Sequence, residues 1–399
     1  MRKKSKWLLR GLVCMAFLGC TSKGEPRSEI APPEEKPKGL RIEWDRSTLQ
    51  RIAPQSDRQL AYAGYPRVKQ LRDGAIVAVY EADGDVELIR STADMQTWSE
   101  PMVLFPAHDY TDEKGNTVRV NISNPEFIEL QNGDWLAACN YRPVREEVAP
   151  FAIAITRSTN RGETWSESQV IFEAEPRFRD GCWEPAFLQL PDGTLQVYFA
   201  NEAPFTESDE QEIAVLTSVD NGKTWDTDSR TVSFRAGRRD GMPVPLLVGD
   251  EILVAIEDNK VGQFKPYIVR TSIPDNWNQP VLGDSPKREY ALKDLLPDDV
   301  YAGAPYLARL TTGEVLLSYQ TTRRRGPDWE KSTMEVAIGD KDGRQFEHIS
   351  QPFSVSLDRE AKWNAITVLN NNTVVATSAS NLDGGNIGVW MIVGQIKRD

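Results

Sequence analysis

The chain has 399 residues, of which 27% are charged and 40% hydrophobic, and a formal net charge of −12. That balance is ordinary for a soluble domain and argues against nucleic acid or anionic lipid surfaces as partners, since like charge repels both. The sequence holds only two histidines, His108 and His348, which argues against a Ser-His-Asp triad or a multi-histidine metal site and leaves carboxylates as the reagents.

In chain order, Arg2, Lys3, Lys4, Lys6 and Arg10 precede an apolar run over residues 12–18 that is too short to cross a bilayer. Leu18-Gly19-Cys20 resembles a bacterial lipobox. The resemblance implies a lipoprotein signal peptide over residues 1–19, lipidation of Cys20, and a place on the bacterial outer membrane, at its periplasmic face or the cell surface. A plain secretory signal is the alternative. Residues 20–45 are rich in Pro, Glu, Lys and Ser and read as a flexible tether. Residues 46–399 form the remaining domain.

Within that domain a short motif recurs at a period of about 60 residues: an apolar anchor, a polar turn, then alternating apolar residues. The anchors are Leu71, Leu130, Leu190, Val248, Leu310 and Leu369, so the chain holds six copies. Each copy reads as four short strands, clearest in the second, near residues 125–130, 134–139, 152–158 and 169–172. One helical stretch is expected near residues 290–296, between copies. The fold class is therefore all-β, a six-bladed β-propeller of four-stranded antiparallel blades. Cys139 and Cys182 fall in different blades, and sequence leaves their pairing open.

If the turn closes strands one and two of each blade, the start of strand one and the end of strand two share the opposite face. Counting eight or nine residues back from each turn gives Tyr65-Pro66-Arg67, Asn124-Pro125-Glu126, Glu184-Pro185, Asp240-Gly241-Met242, Ala304-Pro305-Tyr306 and Trp363-Asn364. Counting forward gives Asn201 with Glu202, and Glu257 with Asp258. Glu184 and Glu257 thus converge from neighbouring blades, as glycoside hydrolysis requires: one acid protonates the leaving oxygen while the other attacks or activates water. Two solvated rim residues would give the same pattern.

An eight-residue turn is written three times, Ser91-Thr-Ala-Asp-Met-Gln-Thr-Trp98, Ser158-Thr-Asn-Arg-Gly-Glu-Thr-Trp165 and Ser218-Val-Asp-Asn-Gly-Lys-Thr-Trp225. It resembles the Asp box of the sialidase superfamily, and its residues are structural. Cys182-Trp-Glu-Pro185, Arg239-Asp-Gly-Met-Pro243, Ile252-Leu-Val-Ala-Ile-Glu257 and Gly303-Ala-Pro-Tyr306 further resemble the exo-α-1,5-L-arabinanases of glycoside hydrolase family 93, over most of the chain after Tyr65. The resemblance implies a retaining, cofactor-free hydrolase of arabinan-like plant oligosaccharides, with Glu184 and Glu257 as the catalytic pair. It leans to Glu184 as nucleophile and leaves the reverse open. Trp183, Asp240 and Tyr306 would line the sugar site, joining Tyr65, Arg67, Asn124, Asn201 and Trp363 from the register. No metal ligands are assigned, although a structural cation stays open, and a monomer that meets the membrane only through its lipid is expected. Two alternatives remain. Tyr65-Pro-Arg-Val68 resembles the arginine motif of sialidases, although the last blade has no tyrosine to serve as nucleophile. A lipid-anchored glycan-binding propeller without activity is the other.

Overall fold

A computed structural model of the chain describes residues 39–55 and 58–399. The signal peptide, Cys20 and most of the tether lie outside the described residues. Six antiparallel sheets follow one another along the chain. In blade three the first four strands are Cys182–Gln189, Leu195–Asn201, Glu212–Ser218 and Arg230–Phe234. Strand two of this blade is buried at every position, and its apolar side chains, Leu195 and Val197 to Ala200, pack against a neighbouring blade on each face. Blade six is completed by Leu40–Ala53, which lies outermost and pairs antiparallel with Gly388–Arg398. The paired strands of the domain therefore begin six residues before the expected boundary at 46, because Leu40 already pairs with Arg398.

Two further expectations are corrected. Residues 290–296 form no helix; Arg288–Tyr290 is the outer strand of blade four, and Leu292 bridges to Phe346 of blade five. Among the described residues the only helical pieces are three single 3-10 turns. Blades two and three also carry a fifth strand each, His108–Thr111 and Val281–Leu282.

The eight-residue turns are held by their own side chains. Gly222 N–H donates to Ser218 Oγ at 2.7 Å, and Asp220 accepts the amides of Lys223 and Thr224 and the hydroxyls of Ser218 and Thr224. Those bonds hold Asp220 below the usual carboxylate range. In the second copy Asn160 accepts the Ser158 hydroxyl and the Thr164 N–H, and its own amide donates to the Thr164 hydroxyl. In the first copy Met95, rather than glycine, takes the positive φ of 54°.

The feature that positions the site is a bulge in every innermost strand. Pairing slips at Gly64/Arg67, Ser123/Glu126, Trp183/Ala186, Gly241/Val244, Gly303/Tyr306 and Lys362/Ala365. The first residue of each bulge has positive φ, between 46° and 54°: Tyr65, Asn124, Glu184, Met242, Ala304 and Trp363. In five blades proline follows, which tolerates the missing ladder bond because it has no N–H to donate. Such a bulge re-aims a side chain, and here Tyr65, Met242, Ala304 and Trp363 meet in one apolar cluster. Blade four departs from the expected register. Its bulge is Met242-Pro243, not Asp240-Gly241, because its turn is only Gly249-Asp250 between the paired Val248 and Glu251. Counting back from that shorter turn overshoots by two.

Candidate active site

Glu184 is the bulge residue of blade three, with φ of 54°. Glu257 ends the apolar part of blade four's second strand and pairs with Gly241 on one side and Pro266 on the other. Two glycines make room for its carboxylate: a Cβ on Gly303 would lie 2.3 Å from Glu257 Oε2, and one on Gly241 would lie 3.1 Å from Oε1. Ala304 N–H then donates to Oε2 at 2.8 Å, so the carboxylate is clamped between blades four and five.

Both glutamates line two adjoining cavities, of about 290 and 490 Å³, that also share Phe264, Trp329 and Trp363. Tyr301 and Met242 complete the smaller one. Trp183, Phe178, Tyr65, Arg142, Arg239 and Glu202 are among the walls of the larger. Tyr65 stacks on Trp363 at 4.6 Å with an interplanar angle of 15°, while Arg142 lies over the rings of Phe178 and Trp183 at 5.2 and 5.3 Å. A sugar ring entering this space would meet aromatic faces on several sides, with carboxylates at its floor.

Burial raises both acids. Glu184 is pushed up to about 8, first by loss of solvent and then by the charges of Glu257 and Glu202, against smaller downward pulls from Arg142 and the Met242 N–H. Glu257 is pushed up to about 7 by burial, opposed by the Ala304 N–H and the Arg239 charge. Arg239 forms an ion pair with Glu202. Neither Glu184 nor Glu257 has an ion-pair partner among the described residues. Two carboxyls titrating close to neutrality in one cavity can hold one proton between them, the state that acid/base work needs.

The structure brings Glu184, Glu257, Tyr65, Trp183 and Trp363 together and puts the other expected site residues elsewhere. Arg67 lies over the Tyr306 ring at 4.9 Å and 3.4 Å from Glu126, deeper along the axis. Tyr306 donates to Glu126 and accepts from Lys69. Asn124 is buried, lines neither cavity, and its amide has no hydrogen-bond partner among the described residues. Asn201 donates to Glu212 at 3.0 Å. Asp240, fully buried, accepts from Arg288 and Ser233, which makes it a strand anchor two residues ahead of the bulge.

Tyr301, Phe264, Arg142 and Arg239 were not anticipated as site residues. A signal for Tyr301 exists: Tyr301-Ala-Gly303 repeats Tyr62-Ala-Gly64 of blade one, and each tyrosine hydroxyl lies where a Cβ on its glycine would be. Arg142 lies towards the far end of the second strand of blade two and Phe264 at the start of the third strand of blade four, beyond the positions that the turn repeat marks, and they carry no comparable signal.

Residues 133–253 match the family described as BNR repeat-like domain. No curated protein matches the chain. Among solved structures, the GH93 α-L-arabinofuranosidase of Fusarium graminearum, in complex with arabinobiose, superposes with a TM-score of 0.62 at 16% identity, covering 87% of this chain and 97% of its own. The α-L-arabinanase of Penicillium chrysogenum, also with arabinobiose, gives 0.62 at 20% identity over 87% and 97%. The NanB sialidase of Streptococcus pneumoniae gives 0.58 at 14% identity over 87% of this chain and 70% of that one. The fold is a sialidase-type six-bladed propeller. The chain thus resembles the sialidase superfamily in its repeats and the family 93 enzymes in its architecture.

Proposed function

We propose that the protein is an exo-acting, retaining glycoside hydrolase on arabinan-like plant oligosaccharides, with Glu184 and Glu257 as its catalytic residues. The observation that carries this reading is the pairing of these two glutamates in one aromatic cavity, with raised pKa values of about 8 and about 7. Support for the sugar comes from the two fungal proteins of the same fold, whose complexes hold arabinobiose. No cofactor is needed for the chemistry, and Cys20 would carry the lipid that holds the domain at the outer membrane.

The two environments divide the roles, and in the opposite sense to the resemblance. Each glutamate has a backbone N–H and an arginine charge that favour ionisation, but only Glu184 is also raised by neighbouring carboxylate charges, so Glu257 ionises first and is the nucleophile. Glu184, beside the charges of Glu257 and Glu202, keeps its proton and is the acid/base. In the first step Glu257 bonds to the anomeric carbon as Glu184 protonates the departing oxygen; in the second, Glu184 takes a proton from water, which displaces Glu257. A sialidase reading is weakened by Arg67, which is spent on Glu126 and Tyr306 away from the cavity, since carboxylate recognition depends on free guanidinium groups.

Assays on arabinan, debranched arabinan, arabino-oligosaccharides and sialosides test the reading, with the anomer of the first-formed product followed by NMR. Release of arabinose units with retained configuration is expected. An inverted product would overturn the mechanism, sialoside cleavage would overturn the substrate, and inactivity on every glycan would favour a binding protein.

A further inference from the structure

A cavity of about 830 Å³ lies outside the catalytic centre, on the flank of blades three and four. It is made where the chain of blade four leaves the repeat: Val281–Leu282 crosses over and pairs in parallel with Arg230–Phe234 of blade three. A buried charge network fixes this wall. Arg288 donates to Asp240, to Asp258 and to the Val281 carbonyl, and Arg235 binds Asp258 at 2.9 Å. Gly283 has no side chain, so the loop can lie against that guanidinium; a Cβ there would sit 2.9 Å from its Nη1.

With Arg235 neutralised by Asp258, the cavity presents two further cations, Arg238 and Lys260, whose side chains are exposed and have no hydrogen bond or ion pair among the described residues. Asp284 is the only carboxylate in the lining. Beside these lie Phe234, which stacks on Phe205 at 5.1 Å, and Leu282, 53% exposed. Unpaired cations next to an apolar ledge are unexpected on a chain of net charge −12. The site also adjoins the catalytic cavity, since Arg239 and Gly262, one and two residues from Arg238 and Lys260, line the latter.

We propose that this outer cavity is a second glycan-binding site, taking a sugar unit that carries an anionic substituent, a carboxylate or a sulfate, on the substrate chain. Arg238 and Lys260 bind the anion, Phe234 and Leu282 meet the C–H face of the ring, and Asp284 accepts from hydroxyls. The inference rests on the reading of the protein as carbohydrate-active but not on hydrolysis itself.

Affinity electrophoresis and calorimetry with oligogalacturonate, a sulfated galactan oligosaccharide and neutral linear arabinan test it. Wild type is expected to bind at least one of the anionic probes, and the probe bound tells carboxylate from sulfate. Arg238→Ala/Lys260→Ala should weaken that binding at least about tenfold, two charge-assisted hydrogen bonds being lost. Lys114→Ala/Lys223→Ala, which removes two exposed cations elsewhere, should leave it unchanged. No binding of either anionic probe, or equal weakening by both double variants, would overturn the site. Those failures are separable from failure of the hydrolase reading, which is scored by product release.

Discussion

At the turn end of the propeller axis Glu126 lies 3.0 Å from Lys69 and 3.4 Å from Arg67, and it accepts the hydroxyl of Tyr306; at the mouth, Glu184 and Glu257 have no cation bound to them. Burial opposes charge at both ends. At the turn end burial is outweighed, so that Glu126 is held below its ordinary value, with the Lys69 and Arg67 charges as the cause. At the mouth it is not, and the two acids rise to about 8 and about 7. The same residue type is thus held charged where it is neutralised and drawn towards its protonated form where it is left uncompensated. Glutamates cannot be sorted into structural and catalytic by burial alone; the partner decides.

The largest test of that contrast is to remove the carboxylates at each end in turn. Glu184→Gln and Glu257→Gln should each lower kcat by about 10³-fold or more, at the upper part of the range for a lost acid/base, with unfolding curves close to wild type. Azide should restore turnover of an activated aryl glycoside to Glu184→Ala with retained configuration, and to Glu257→Ala with inverted configuration. The opposite pattern would return the roles to those the resemblance implies. Glu126→Gln should behave in the reverse way, leaving Lys69 and Arg67 uncompensated and costing about 3–5 kcal/mol of stability by urea titration. Intact stability with lost activity in that variant would break the comparison.

Next in size is the glycine slot. Gly303→Ala would put a methyl group 2.3 Å from Glu257 Oε2, and a displacement of that order should reduce kcat about 10²-fold. Gly241→Ala, at 3.1 Å, should cost less. Equal and negligible effects would show that Glu257 is not clamped between the blades.

The smallest effect is on pH dependence, where the two ends have opposite signs. A carboxyl raised on folding, such as Glu184, favours the folded state at pH below its unfolded value near 4.5, and that contribution is lost as pH climbs through about 8. Glu126, lowered on folding, contributes stability above 4.5 that is lost as pH falls through its folded value. Stability of wild type relative to Glu184→Gln should therefore decline between pH 4.5 and 8, and relative to Glu126→Gln below 4.5. In kcat/KM the mouth should give a narrow bell with limbs near 7 and 8. A profile flat from pH 5 to 9 would separate the pair from the chemistry.

Much of this was legible in the sequence. The turn repeat counts the blades, and the relation between turns and strand ends puts Glu184 and Glu257 on one face, because period-2 alternation and hairpin closure are local rules. The register failed at Asp240 for an equally local reason: Gly249 directly follows its anchor Val248, whereas Gly74, Gly133, Gly193 and Gly313 stand three residues after theirs, so counting from the glycine overshoots by two. Asn201 and Tyr306 failed for another: both sit at plausible positions, but their side chains are claimed by Glu212 and by Lys69 and Glu126. The bulge went unread although proline marks it in five blades, since only the pairing shows that Tyr65, Glu184 and Trp363 share one backbone state.

The sequence by itself determined the six-bladed ring and the face on which the two glutamates, Glu184 and Glu257, converge. Only the tertiary structure decided which acids keep a raised pKa, that Gly303 of a different blade makes space for Glu257, and that Arg67 serves the axis and not the cavity. These depend on contacts between blades, where residues far apart in the sequence meet, as Ala304 meets Glu257 and Arg67 meets Tyr306. A local pattern fixes which way a side chain points, but the neighbour it meets is set by how the sheets pack.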